Sequence, residues 1–161
     1  MKGPDATALD ERQLGVDLFN YVWTLLDKHE RASAEDDRMI HAAHASLHHW
    51  SRAFECGPEN LARGEWLCSR VYAVLGRAEP ALHHGRRCLE LCEENAIGDF
   101  DLAYAYEALA RARHVAGAER QAADYLERAA AAGEDISDPE DREHFEEDLA
   151  ELRLRRAASA S

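Results

Sequence analysis

Apolar residues recur along this chain at three- and four-residue intervals, which places them on one side of an α-helix. Leu14, Leu18, Val22, Leu25 and Leu26 form the first such stripe and predict a helix from about Ala6 to His29. Ser33 reads as an N-cap, with acidic Asp36 three residues on. The second helix then runs to about Glu55 and ends at Cys56-Gly57-Pro58. Asn60 can cap a third helix that closes at Leu75-Gly76, where glycine suits the left-handed position after a helix. A fourth starts near Glu79-Pro80, with proline in its first turn, and ends before Gly98. A fifth spans Asp99 to Ala116 and stops at Gly117, and a sixth spans Glu119 to about Ala132 and stops at Gly133. Ser137-Asp138-Pro139 opens a seventh that reaches about Arg156, and the Ala-Ser tail beyond it is expected to fray. The pattern predicts an all-α fold of about seven helices. The loops are short, so consecutive helices must pack antiparallel.

Composition agrees with that reading. Ala, Leu, Glu and Arg dominate while Val, Ile and Thr are scarce, so a sheet would lack its usual residues. A chain of 161 residues, 46% hydrophobic and 32% charged, suits one domain with a real core. The net charge of −13 argues against a nucleic-acid partner, which needs a basic surface, and against docking on an anionic membrane. The apolar runs are too short to span a bilayer, and Met1-Lys2-Gly3-Pro4-Asp5 leads into a charged helix and not an apolar signal segment. We therefore expect a cytoplasmic protein. Cys56, Cys68, Cys88 and Cys92 form no Cys-x-x-Cys pair, and a disulfide framework is not expected in that compartment.

The helices also repeat. Gly76 and Gly117 each close one helix and precede another, and Ala81 matches Ala122 at the same offset. A helix pair recurring every few tens of residues is the signature of an α-solenoid. Val74-Leu75-Gly76-Arg77-Ala78-Glu79-Pro80-Ala81 and Val115-Ala116-Gly117-Ala118-Glu119-Arg120-Gln121-Ala122 look like the turn between the two helices of a tetratricopeptide repeat (TPR). Ser69, Tyr72, Gly76, Ala81 and Cys88 fall at that family's small, aromatic, turn and packing positions, and Ala110, Gly117, Ala122, Leu126 and Ala129 do so in a second copy. From about Leu61 to Ala132 the chain therefore resembles a TPR array, with a longer period than the family's 34 residues, Arg113 at an aromatic position and no proline ending either copy. The organisation that follows is one domain over 1–161. It comprises a divergent N-terminal helix pair (6–55), two TPR-like pairs (60–132) and a C-terminal capping helix (138–156), wound as a right-handed solenoid. The capping segment carries acids early and Arg153, Arg155 and Arg156 late, which complements the helix dipole.

The resemblance implies that the first helix of each pair lines a concave groove. The groove positions carried over are Arg63, Trp66 and Arg70 in the first copy and Tyr104, Glu107, Arg111 and His114 in the second. Arg63, Trp66 and Arg70 stand at i, i+3 and i+7 and share a helix face by geometry alone. Two guanidinium forks flanking an indole suit an anionic ligand. The expected function is a non-enzymatic binding module for an acidic peptide, a chain terminus or a small anionic ligand, with no required cofactor. The bland alternative is that Arg63 and Arg70 pair with acids on adjacent helices and Trp66 packs between pairs.

The second helix offers different chemistry. Asp37, His41, His44, His48 and Glu55 fall in one narrow stripe beside the apolar face of Met39, Ile40, Ala43, Leu47, Trp50 and Phe54. Asp37/His41 and His44/His48 are i, i+4 pairs able to chelate a divalent transition metal, with His83, His84 or a groove glutamate as a further ligand. This supports an alternative reading as a small metalloprotein or metal-dependent enzyme, set against histidines that merely hydrogen-bond neighbouring helices. Cys88 and Cys92 have the same spacing but sit among Leu82, Leu89 and Leu91, where they read as packing. A third reading is a homodimer formed through the first helix, whose Phe19, Tyr21, Val22 and Trp23 cover much of its circumference. Catalytic residues cannot be singled out.

Overall fold

A computed structural model describes residues 10–160. It holds seven helices: α1 (Glu11–Leu26), α2 (Ser33–Arg52), α3 (Pro58–Val74), α4 (Ala78–Glu94), α5 (Asp99–Val115), α6 (Glu119–Gly133) and α7 (Pro139–Ser159). No strand occurs among the described residues, and none of these helices is long and apolar enough to cross a membrane. The predicted start of the first helix at Ala6 and the N-terminal Met1–Asp5 reading lie outside the described residues.

Each helix packs on its neighbours in the chain, and α1, α3, α5 and α7 also meet in succession. The four odd-numbered helices thus run side by side in one layer, with α2, α4 and α6 in the other. From α3α4 to α5α6 both helix starts advance by 41 residues, Pro58 to Asp99 and Ala78 to Glu119. Gly76 and Gly117 have φ of +72° and +74°, the left-handed conformation that only glycine adopts without a Cβ penalty. Around them Arg77 N–H donates to Tyr72 O, and Ala118 N–H to Arg113 O, both at 2.9 Å.

Small residues set the spacing between layers. Ala62, Ala81, Ala105, Ala112, Ala122 and Ala129 are fully buried. Buried serines staple helix to helix: Ser46 Oγ donates to Gly15 O at 2.7 Å and Ser69 Oγ to Ala81 O at 2.8 Å. α5 is buried around most of its circumference, as the middle of a stack must be. α7 closes the array by seating Phe145, Leu149 and Leu152 on α5 and α6.

Several helix ends differ from expectation. The N-cap of α2 is Ala32, not Ser33, because Glu35 Oε2 accepts the Ala32 N–H at 2.9 Å. α3 begins at Pro58, and Asn60 acts from inside the helix by accepting the Gly57 N–H at 2.9 Å. α2 stops at Arg52 because Ala53 is extended, which leaves Phe54 wholly exposed and off the apolar face. α7 continues through the expected frayed tail to Ser159, whose hydroxyl donates to Arg155 O at 3.1 Å.

Candidate functional site

α3 presents its arginine face to α5 and α7. Arg63 Nε and Nη2 reach both oxygens of Asp101 at 2.8 and 3.1 Å, a bidentate pair. Arg70 Nη1 reaches Glu107 Oε1 at 3.4 Å, and its Nη2 lies 4.0 Å from Asp148 of α7. Trp66 stacks on Trp23 of α1 at 5.7 Å and meets Tyr104 edge-on at 5.5 Å. Its indole nitrogen is buried with no hydrogen-bond acceptor.

The second set lies deeper. Glu107 is fully buried and accepts from Arg111 Nε at 2.7 Å, and Arg111 Nη1 continues to Glu151 of α7 at 3.0 Å. Tyr104 Oη donates to Asp148 at 2.6 Å, and burial together with that carboxylate pushes the phenol pKa up. His114 Nδ1 pairs with Glu119 Oε1 at 2.6 Å, while Arg156 of α7 holds the other oxygen of Glu119 at 3.0 Å. Six of the seven positions thus meet residues of the odd-numbered helices, with Arg70, Tyr104 and Arg111 reaching α7, while His114 pairs with Glu119 at the start of α6.

Two chemically distinct cavities lie along this layer. Because consecutive helices alternate in direction, α1, α3, α5 and α7 point the same way and their dipoles add. A cavity of about 430 Å³ lies toward their N-terminal ends. Its walls include Phe19, Trp23, Trp66, Phe100 and Tyr104, and its polar groups are Arg63, Asp101, Asp141, His144 and Asp148. A second cavity, about 660 Å³, lies toward their C-terminal ends. Arg70, Arg111, Arg155, Arg156 and His114 line it, with Glu119 as the one acidic lining residue. Acids near helix N-termini and arginines near C-termini each oppose the local dipole charge. The consequence is an acidic aromatic pocket at one end and a basic pocket at the other.

The histidine stripe does not assemble as a unit. Asp37, His41, His48 and His83 are exposed. His44 alone of the predicted second-helix set turns inward, where its Nε2 lies 2.8 Å from Tyr72 Oη. Burial, and then the neighbouring His84, lowers its pKa. It meets Cys68 of α3 and His84 of α4, and the ligand atoms of all three lie within 4.8 Å of one another. Burial pushes the Cys68 thiol up to about 12. Arg63, Trp66 and Arg70 lie half a turn away around α3 from Glu65, Cys68 and Tyr72. The arginine face and the inward histidine therefore do not share a pocket. Cys88 and Cys92 are buried with Ala62 and Ala105, as packing residues.

No family model, no curated protein and no solved structure matches the chain.

Five contributors escape the sequence pattern. Arg155 and Arg156 join the basic cavity because the last turns of α7 lie beside the C-terminal ends of α3 and α5. Phe19 and Trp23 line the aromatic cavity, although their i, i+4 spacing also suits an external ridge. Cys68 belongs to no Cys-x-x-Cys pair, and only the packing of α2 and α4 on α3 brings two imidazoles to it.

Proposed function

We propose that the chain is a TPR-like binding module whose groove takes a peptide segment bearing an anionic group, such as an acidic side chain or a chain terminus. The observation that carries this reading is the convergence of Arg70, Arg111, Arg155 and Arg156 on one cavity in a chain of net charge −13. The carboxylates that pair with them are Glu107, Glu119, Glu151 and Asp148, so four guanidinium groups and His114 face four carboxylates. Arg155 is 65% exposed and can turn to a ligand at little cost. The Arg63–Asp101 pair is self-satisfied, which narrows the anion site from the whole Arg63–Trp66–Arg70 face, singled out by the sequence pattern, to its Arg70 end.

The aromatic cavity then receives a neighbouring side chain of the same segment. Its ring-lined walls favour an apolar group, and Asp141 and Asp148 favour a cationic tip over an anionic one. The ligand lies along the layer with its negative end at the helix C-termini, held there by the arginines against the local dipole charge.

Intrinsic tryptophan fluorescence tests the reading, since Trp23 and Trp66 both line the aromatic cavity. Tag-free protein is titrated with a peptide library whose members end in either a free carboxylate or an amide. Carboxylate-ending peptides with an apolar residue upstream should bind, and binding should weaken at high salt. Replacing Arg155 and Arg156 together by glutamate should abolish it. Equal binding of carboxylate and amide forms, or indifference to the double replacement, would remove the anion site.

A further inference from the structure

We propose that His44, Cys68 and His84 form a transition-metal site, best suited to zinc, at the junction of α2, α3 and α4. Three observations carry it. The first is convergence: one ligand atom from each side chain lies within 4.8 Å of the other two. Ligand atoms around a tetrahedral zinc stand about 3.5 Å apart at normal bond lengths, so closure asks each side chain for about an ångström of movement. Each residue comes from a different helix, so the site clamps three helices at once.

The second is support around the ligands. Glu65 Oε2 lies 2.6 Å from His84 Nδ1. A carboxylate taking the Nδ1–H of a histidine leaves Nε2 with its lone pair and fixes the ring, the usual arrangement behind a metal-bound imidazole. Tyr72 completes the wall, with its hydroxyl 2.8 Å from His44 Nε2 and its ring stacked on His84 at 5.8 Å with 6° between planes. The third is chemistry. Two imidazoles and a thiol are a borderline-soft set that selects zinc, cobalt or copper over magnesium or calcium. On binding, the Cys68 sulfur gives up its proton and forms the metal bond. A fourth position remains for Tyr72 Oη or for water.

The alternative is a hydrogen-bonded staple of Glu65, His84, Tyr72 and His44 that binds no ion. Cobalt(II) distinguishes them, because a Cys thiolate on cobalt gives a near-ultraviolet charge-transfer band and a tetrahedral site gives intense visible bands. Tag-free full chain is titrated with cobalt(II) and then zinc(II). We expect saturation at one equivalent with both sets of bands, and displacement of cobalt by zinc. Cys68→Ala should remove the charge-transfer band while Cys88→Ala keeps it. Glu65→Gln should weaken zinc by about 10- to 100-fold, as loss of a carboxylate behind a ligating histidine does. Should Cys68→Ala fail to fold by circular dichroism, His84→Gln and Glu65→Gln carry the test. A triple His41→Ala/His48→Ala/His83→Ala variant should retain stoichiometric binding, since those residues are exposed. Absence of a one-equivalent endpoint overturns the site. So does a spectrum without the thiolate band, or loss of binding in the triple variant.

Discussion

Glu107 has no exposed surface, and Arg111, one turn further along α5, places Nε 2.7 Å from its carboxylate. Arg70 of α3 reaches the same oxygen at 3.4 Å, and Arg111 passes on to Glu151 of α7 at 3.0 Å. One buried carboxylate thus joins three helices of one layer. Removing it leaves Arg111 with Glu151 alone and Arg70 with Asp148 at 4.0 Å in a poorly solvated place, and breaking a buried pair costs about 3–5 kcal/mol. Glu107→Ala should lower the free energy of unfolding by that amount in urea denaturation. The double variant Glu107→Leu/Arg111→Met should recover most of the loss, because an apolar pair of similar volume leaves a smaller uncompensated charge. A double variant as unstable as the single would mean that the cavity, and not the orphaned charge, dominates.

The docking of α7 has a steric test. A Cβ built on Gly133 would lie 2.5 Å from Phe145 Cε1 and 2.8 Å from Cδ1, and the Phe145 ring is fully buried. The ring cannot give way without displacing Ile136 and Leu149 in the same cluster. Gly133→Ala should therefore destabilise by about 1–3 kcal/mol, the usual range for overpacking. Proteolysis should show increased cleavage near α7, since this contact seats that helix on α6. An unchanged unfolding midpoint would show that α6 and α7 can separate freely at this point.

What could be read from the sequence divides along physical lines. Gly76 and Gly117 were legible because a left-handed residue after a helix is a local requirement, visible in a few residues. The shared face of Arg63, Trp66 and Arg70 was legible because i, i+3 and i+7 fall on one side of a helix whatever packs against it. Burial of Glu107 and Arg111 was not legible, because both are charged, and their concealment depends on where α7 lands. His44 stood out at the edge of the apolar face of α2, yet its companions Cys68 and His84 depend on the rotation of α3 and α4 about their axes. Helix ends failed where side chains reach across them. Glu35 and Asn60 cap from inside their helices, so Ser33 and Asn60 drew the boundary one to three residues too late.

Glu119 should contribute to acid sensitivity. Its hydrogen bond from His114, then that from Arg156, hold its carboxyl below the usual glutamate value of 4.5. The folded state therefore binds fewer protons than the unfolded state once pH drops below that value. The stabilisation is fully present above about pH 4.5 and is lost as pH falls through the lowered folded value. Glu119→Gln should be less stable than wild type near pH 6, and the gap should narrow on acidification. Unfolding midpoints at pH 6, 4 and 3 check this. A gap that stays constant over that interval would mean that Glu119 acts through packing alone.

Two turns of the same construction carry different residues at their left-handed position. After α3 it is Gly76, and Gly76 N–H donates to Ala73 O at 3.1 Å. After α4 it is Ala96 at φ +51°, where Ile97 N–H donates to Cys92 O at 2.9 Å. The alanine methyl meets the strain that glycine avoids, about 1–2 kcal/mol for a non-glycine residue in this region. Glycine gives back part of that through the greater freedom it confers on the unfolded chain, about 0.4–1 kcal/mol. A Cβ at Gly76 would meet no atom within 4 Å, so strain alone opposes it. Ala96→Gly should therefore stabilise by about 0.5–1 kcal/mol, and Gly76→Ala should destabilise by a similar amount. Opposite shifts of the urea midpoint in the two variants are the expected result. Shifts of the same sign would show that loop packing, and not the backbone dihedral, governs these turns.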